Sequence, residues 1–326
     1  MGTTFQTGPA PHFRKPVSVR TIMLDVLIAL TPAVIVGIFQ FGFSALLLCV
    51  IGVLGAELFE FFVMRVLRKK KEFVPDGSAA VTGLLLALNV SSALPWYLLL
   101  IGIVVAIGIG KHVFGGLGAN PFNPALVGRA FLIISFPVQM TTWIQAGAWK
   151  AESLVSAATP LGILKENGFE QASSGFSNLQ LFLGNSGGCI GEVSAIALLI
   201  GFAYLVVRKR ANPVTPIAYI GTAMILSTIF FLVNPEQFGS PLFHLLSGGL
   251  LLGALFMATD MVTSPATIKG AMLFGVGCGA ITMLIRFAGG TPEGVMFSIL
   301  IMNAFKPLID RISHPKPFGL QKKEAK

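Results

Sequence analysis

The chain has 326 residues, 54% hydrophobic and only 11% charged, with a formal net charge of +9. A mean hydropathy of +0.80 with so few charges excludes most soluble classes and fits a polytopic membrane protein. The positive charge falls in clusters between apolar runs and forms no single basic face, which argues against a nucleic-acid partner.

Arg14, Lys15 and Arg20 precede the first apolar run, 22–40. That run is too long for the apolar region of a signal peptide, and no small-residue cleavage site follows it. Further apolar segments lie at 43–63, 79–90, 96–110, 125–140, 189–207, 217–233, 242–258, 271–287 and 295–309. A crossing needs about twenty helical residues, so the third segment is short. Arg65, Arg68, Lys69, Lys70 and Lys71 follow the second segment, and Arg208, Lys209 and Arg210 follow the sixth. Lys306, Arg311, Lys316, Lys322, Lys323 and Lys326 lie at or beyond the last. With about ten transmembrane segments and both termini inside, all three clusters are cytoplasmic, as the positive-inside rule requires. Lys150, Lys165 and Arg286 remain outside or near the outer face. The polar excursion at 141–188 then faces the extracytoplasmic space. It separates a first membrane half, 1–140, from a second, 189–326.

A weak echo relates the halves. TGLLLALNVSSALP (82–95) resembles GGLLLGALFMATDMVTSP (248–265), and FGGLGANPFNPAL (114–126) resembles FAGGTPEGVMFSIL (287–300). The expected fold is an all-α polytopic membrane protein of two inverted five-segment halves with broken helices. Chance similarity between apolar helices is the competing explanation. Lipid cannot pair backbone polar groups, so the breaks at 91–95, 115–124 and 260–265 must be buried, line a polar cavity or lie outside the hydrocarbon. Free amides at helix starts there suit phosphate, carboxylate or flavin carbonyl oxygens.

The stretch GGLGANPFNPALVGRAF (115–131) carries the most chemistry. Gly115 and Gly116 allow close backbone approach, Asn120 and Asn123 supply donors and acceptors, and Arg129 is a fixed cation. A tight turn with Arg129 snorkelling to the interface explains the same residues. Ionisable groups inside apolar segments are candidates for an ion path. Asp25 lies in the first segment, Glu57 and Glu60 in the second, His244 near the start of the eighth and Asp260 at its end. Glu57 and Glu60 share a helical face. Glu60 is also within reach of Arg65, and Asp25 could cap a neighbouring helix. Cys49, Cys189 and Cys278 are far apart and show no metal-ligand spacing, so neither zinc nor an iron–sulfur cluster is expected.

These motifs carry a family resemblance. PHFRKPVSVRTIMLDVLIALTPA (11–33), the glycine–asparagine stretch, SAATPLG (156–162) and DMVTSPAT (260–267) fall in order. Together they resemble the D subunit of Rnf complexes, the ion-translocating ferredoxin–NAD oxidoreductases. The B subunit of sodium-pumping NADH–quinone reductases has a similar core. The likeness runs from about residue 11 to about residue 318.

The resemblance implies an FMN joined through its phosphate to a threonine in a Ser/Thr-x-Ala-Thr motif on the outer side. A separate flavin transferase makes the ester. Ser156, Ala158 and Thr159 match that motif. The aspartate often found about six residues earlier is Ser153 here, with Glu152 beside it. A helix N-cap at Ser156 or Thr159 is the plainer use of the same residues. A second, noncovalent flavin such as riboflavin is implied too, near 115–123 or 260–265. The chain lacks an NAD-binding fingerprint and cysteine cluster motifs. Those parts are expected on partners, the A, B, C, E and G subunits of Rnf. The resemblance further implies Na⁺ or H⁺ as the transported ion and a prokaryotic cell membrane as the location. Two alternatives stay open: the quinone-reducing relative, and a small-solute channel or transporter.

Overall fold

The computed structural model describes residues 17–70, 73–147, 149, 158–184 and 186–314. Ser156, Ser153 and Glu152 lie outside the described residues.

Ser18 opens α1 (Val19–Phe41) by accepting from the Thr21 amide, and Gly42, at φ 70°, turns the chain directly into α2 (Phe43–Phe62). A π-helical turn, Val63–Leu67, extends α2. The short α3 (Ser78–Leu88) follows, then α4 (Trp96–Val104), which continues as a π-helix over Val105–His112. Asn123 caps α5 (Pro124–Ser135), and α6 (Pro137–Thr141) ends the first half. Three small helices, α7 (Pro160–Asn167), α8 (Phe169–Gly175) and α9 (Asn178–Leu183), occupy the polar excursion. The second half contains α10 (Ala195–Val207), α11 (Val214–Val233), α12 (Pro235–Phe238) and α13 (Pro241–Leu246). It continues with α14 (Leu250–Leu252), prolonged by the π-turn Gly253–Met257, and closes with α15 (Ile268–Ala288) and α16 (Val295–Ser313).

The described residues form no strand, so the all-α expectation holds. Four helices are long and apolar enough to cross a membrane: α1, α2 with its extension, α11 and α15. The α12–α13 and α14 pair makes a fifth candidate, bent by 47° at its break. The remaining expected segments are shorter apolar helices or, in α16, a helix whose last turns carry Lys306, Asp310 and Arg311. Residues 189–194 are not helical, so α10 starts later than the hydropathy implied.

That non-helical segment closes a break elsewhere. The end of α3 stops inside the protein, where its carbonyls need donors. Gly191 donates to Leu88 O at 2.8 Å and Ile190 to Val90 O at 3.1 Å. The Cys189 thiol donates to Asn89 O at 3.3 Å, and Ser91 and Cys189 form an antiparallel bridge. Asn89 folds back to donate to Leu85 O at 2.8 Å. The break in the first half is thus closed by the segment that leads into the second.

Contacts at the helix ends sort into two rims. On one, Arg68 donates to His112 O and Gly115 O, and Lys306 donates to Val262 O. On the same rim Asp25 pairs with Arg208 and Arg210. On the other, Gly147 donates to Gln40 O, Trp149 to Phe39 O, and Lys165 to the carbonyls of Gly289 and Thr291. Each contact joins ends that the charge pattern places on one side.

Candidate functional site

The second of these rims contains the motif threonine. Thr159 is the N-cap of α7: its Oγ1 accepts from the Gly162 amide at 3.1 Å, and Pro160 fills the first helical position. The preference of threonine and proline for those two positions explains why the helix starts there. Leu161 and Leu164 anchor α7 in a small core with Ala172, Leu181 and Phe243. Lys165 ties it to the α15–α16 connection. Partial burial at that contact holds the Lys165 ammonium below the ordinary lysine pKa.

Thr159 and Ala158 line a cavity of about 580 Å³. Trp143 and Phe297 contribute aromatic walls, and Arg129, Glu293 and Glu166 contribute charge. Arg129 is 5% exposed, so it does not snorkel. Its guanidinium donates to Asn89 Oδ1 at 2.6 Å and to Glu293 Oε2 at 3.0 Å, with Glu192 Oε1 at 3.6 Å and Cys189 Sγ at 3.4 Å. These partners come from the end of α3, the loop before α16 and the segment before α10. Burial of the cation is supported by partners that reach its two terminal nitrogens from three directions, while Nε has no hydrogen-bond partner.

The glycine–asparagine stretch divides. Gly115 and Gly116, at φ 130° and 105°, form a turn clasped by Arg68 and do not line the Thr159 cavity. Asn120, Asn123 and Asp260 do meet, around a second cavity on the opposite rim that also touches Lys111 and Arg210, and the two glycines lie outside its wall as well. Asn123 donates to Met257 O at 3.2 Å, and Asn120 Oδ1 has no hydrogen-bond partner. That cavity measures only about 90 Å³, below the roughly 300 Å³ at which sites for organic ligands begin. A flavin does not fit it in this packing.

The carboxylates singled out from the sequence all have partners. Glu60 does not pair with Arg65, which instead lies 5.4 Å over the Phe61 ring. Lys111 Nζ sits 2.5 Å from Glu60 Oε1, and His112 Nε2 lies 3.1 Å from it. The α2–α4 contact delivers two basic groups from just past the end of the fourth apolar segment. Glu57 caps α3 through the Ala80 amide at 3.1 Å. Asp25 does not cap a helix; it receives Arg210 at 2.7 Å, Tyr204 at 3.0 Å and Arg208 at 3.2 Å. Asp260 accepts from the Thr263 hydroxyl at 2.8 Å. Among the described residues no cluster of three or more His, Cys, Asp or Glu could hold a metal. Sequence reasoning missed Glu192 and Glu293. Glu192 stands inside an expected apolar segment, so the rule that flagged Asp25 would also have found it.

A sequence profile of the NQR2, RnfD, RnfE family matches residues 6–319. The chain belongs to this family. The D subunit of the proton-translocating ferredoxin:NAD(+) oxidoreductase complex of Clostridium ljungdahlii is 46% identical, covering 98% of this chain and 97% of its own. Its counterpart in the Na(+)-translocating ferredoxin:NAD(+) oxidoreductase complex of Acetobacterium woodii is 44% identical over 97% and 96% of the two chains. The D subunit of the ion-translocating oxidoreductase complex of Stutzerimonas stutzeri is 39% identical over 93% and 92%. Two relatives of nearly equal similarity thus carry names with different ions. Family membership does not choose between H⁺ and Na⁺.

Proposed function

We propose that this chain is the flavin-carrying membrane subunit of an ion-translocating ferredoxin–NAD⁺ oxidoreductase complex, with FMN esterified to Thr159. The observation that carries the reading is that Thr159 lines a cavity large enough for a flavin, together with a buried arginine. A phosphate on Oγ1 would sit at the start of α7, where the helix dipole favours negative charge. The cavity lies within the roughly 300–1,000 Å³ range of organic-ligand sites. Trp143 and Phe297 are suited to flank an aromatic ring system. Bound there, FMN would supply one- or two-electron chemistry, and the surrounding residues would tune it.

The small side chain of Ala158, next to Thr159, leaves room for a flavin transferase to reach the hydroxyl. The names of the relatives, all oxidoreductase complex subunits, favour this reading over the channel and the quinone-reducing alternatives. The A, B, C, E and G subunits would hold the nucleotide site and the metal clusters, and the transported ion is Na⁺ or H⁺. No riboflavin is assigned to the Asn120–Asp260 cavity, given its size. The gathering of the basic clusters on one rim supports a cell-membrane topology with both termini cytoplasmic and Thr159 outside. In each half a helix ending in a break, α3 or α14 with its π-turn, supports the inverted-repeat reading.

The test is in-gel fluorescence after coexpression with a flavin transferase. The denatured parent band should fluoresce under ultraviolet light, and Thr159→Ala should not. Losing the cap costs about 0.5–2 kcal/mol, so the variant should still accumulate in membranes. Fluorescence that survives in Thr159→Ala would place the flavin elsewhere.

A further inference from the structure

Arg129 is the cation among the described residues lining the Thr159 cavity; the other charged groups there are Glu166 and Glu293. Its charge is permanent and its fork is held by Asn89 and Glu293. Arg286, another buried arginine, donates to His244 O and Ser247 O and lines a different cavity. Two carboxylates oppose the one guanidinium. Glu192 is sealed in, with a side chain 5% exposed, whereas Glu293 is 20% exposed and forms part of the cavity wall. Charges in such a poorly solvated wall act on a neighbouring group far more strongly than they would in water.

We propose that Arg129, opposed by Glu293 and Glu192, sets the reduction potential of the flavin in the Thr159 cavity. This rests on the flavin reading above. Each electron delivered by the complex's own donor adds one negative charge to the ring, and no bond forms or breaks at Arg129. The guanidinium favours the reduced, more negative ring, and the Glu293 carboxylate opposes it. Arg129 is therefore a potential-setting residue, and Glu293 holds its strength in check.

The two charges predict shifts of opposite sign. Optical redox titration of the purified complex, with the Thr159→Ala complex as the difference reference, isolates this flavin from any others. Arg129→Gln should make reduction at least about tenfold less favourable, a fall of about 59 mV for a one-electron couple or about 30 mV for two. Glu293→Gln, which keeps a hydrogen-bonding side chain, should shift the potential upward by a similar amount. Arg129→Lys should keep the potential close to the parent value. A merely structural role would loosen the cavity in both neutral variants and move both potentials the same way. Shifts in one direction, or none, overturn the proposal. If Arg129→Gln fails to assemble, Glu293→Gln decides alone: an upward shift supports the assignment and an unchanged potential ends it. In-gel fluorescence is read first, so absence of flavin on Thr159 is recognised as failure of the underlying reading.

Discussion

Asp25 shows how one buried carboxylate can be read in two ways. It is 3% exposed in α1 and receives Tyr204, Arg208 and Arg210 from α10 and the loop that follows. Such a group is either a cation ligand or a clasp between helices. Three donors converging on two oxygens leave little room for a transported cation, so the clasp reading is favoured. Arg208 is 47% exposed, which weakens its share through solvent screening. Asp25→Asn should cost about 1–3 kcal/mol, read as a lower melting temperature of the purified complex, with ion-coupled turnover persisting. Unchanged melting with lost ion transport would assign Asp25 to the ion path instead. Arg129 marks where residue-level legibility stops. Its charge and its place near a break were visible in the sequence. Its burial was not, because the partners that permit it lie 40 residues before it and 164 after.

At the scale of elements, hydropathy located the apolar helices but not α7, α8, α9 or α12, and the short third segment is short in the structure. What it could not give was how that short helix is held. Gly83 of α3 faces Gly52 of α2 so closely that a Cβ on Gly83 would overlap the Gly52 carbonyl oxygen and crowd Ala56. Small residues that let backbones meet are a common basis of helix association in membranes, where lipid offers no hydrophobic drive. Gly201 of α10 meets the Ala29 carbonyl of α1 in the same manner. Glycine counts alone do not reveal such pairs, since the partner lies on another helix. Gly83→Leu should therefore cost at least the roughly 1–3 kcal/mol typical of overpacking. It should lower the amount of the chain in membranes, measured by immunoblot against the parent. Normal accumulation would mean that α2 and α3 can separate without loss. The α7 start was legible for a different reason: threonine followed by proline is a local signal that needs no distant partner.

Over the whole molecule, the proposed flavin site depends on which side of the membrane Thr159 occupies. The rims fix which ends lie together, but the direction rests on the lysine and arginine clusters. Arg65, Arg68, Lys69 and Lys70 share a rim with Arg208, Lys209, Arg210 and Lys306, whereas Thr159, Lys165 and the α15–α16 connection occupy the other. Direct labelling can decide the direction. Cys49, Cys189 and Cys278 are all buried, so the parent chain should give little background with a membrane-impermeant maleimide. A cysteine at Ser173, exposed on α8, should be labelled in intact cells, and one at Lys70 should be labelled only after the cells are opened. The reverse pattern would place the basic clusters outside and Thr159 in the cytoplasm, removing the outer flavin site. Labelling of both positions in intact cells would show that the two rims do not lie on opposite sides, and the two-sided fold itself would have to be redrawn.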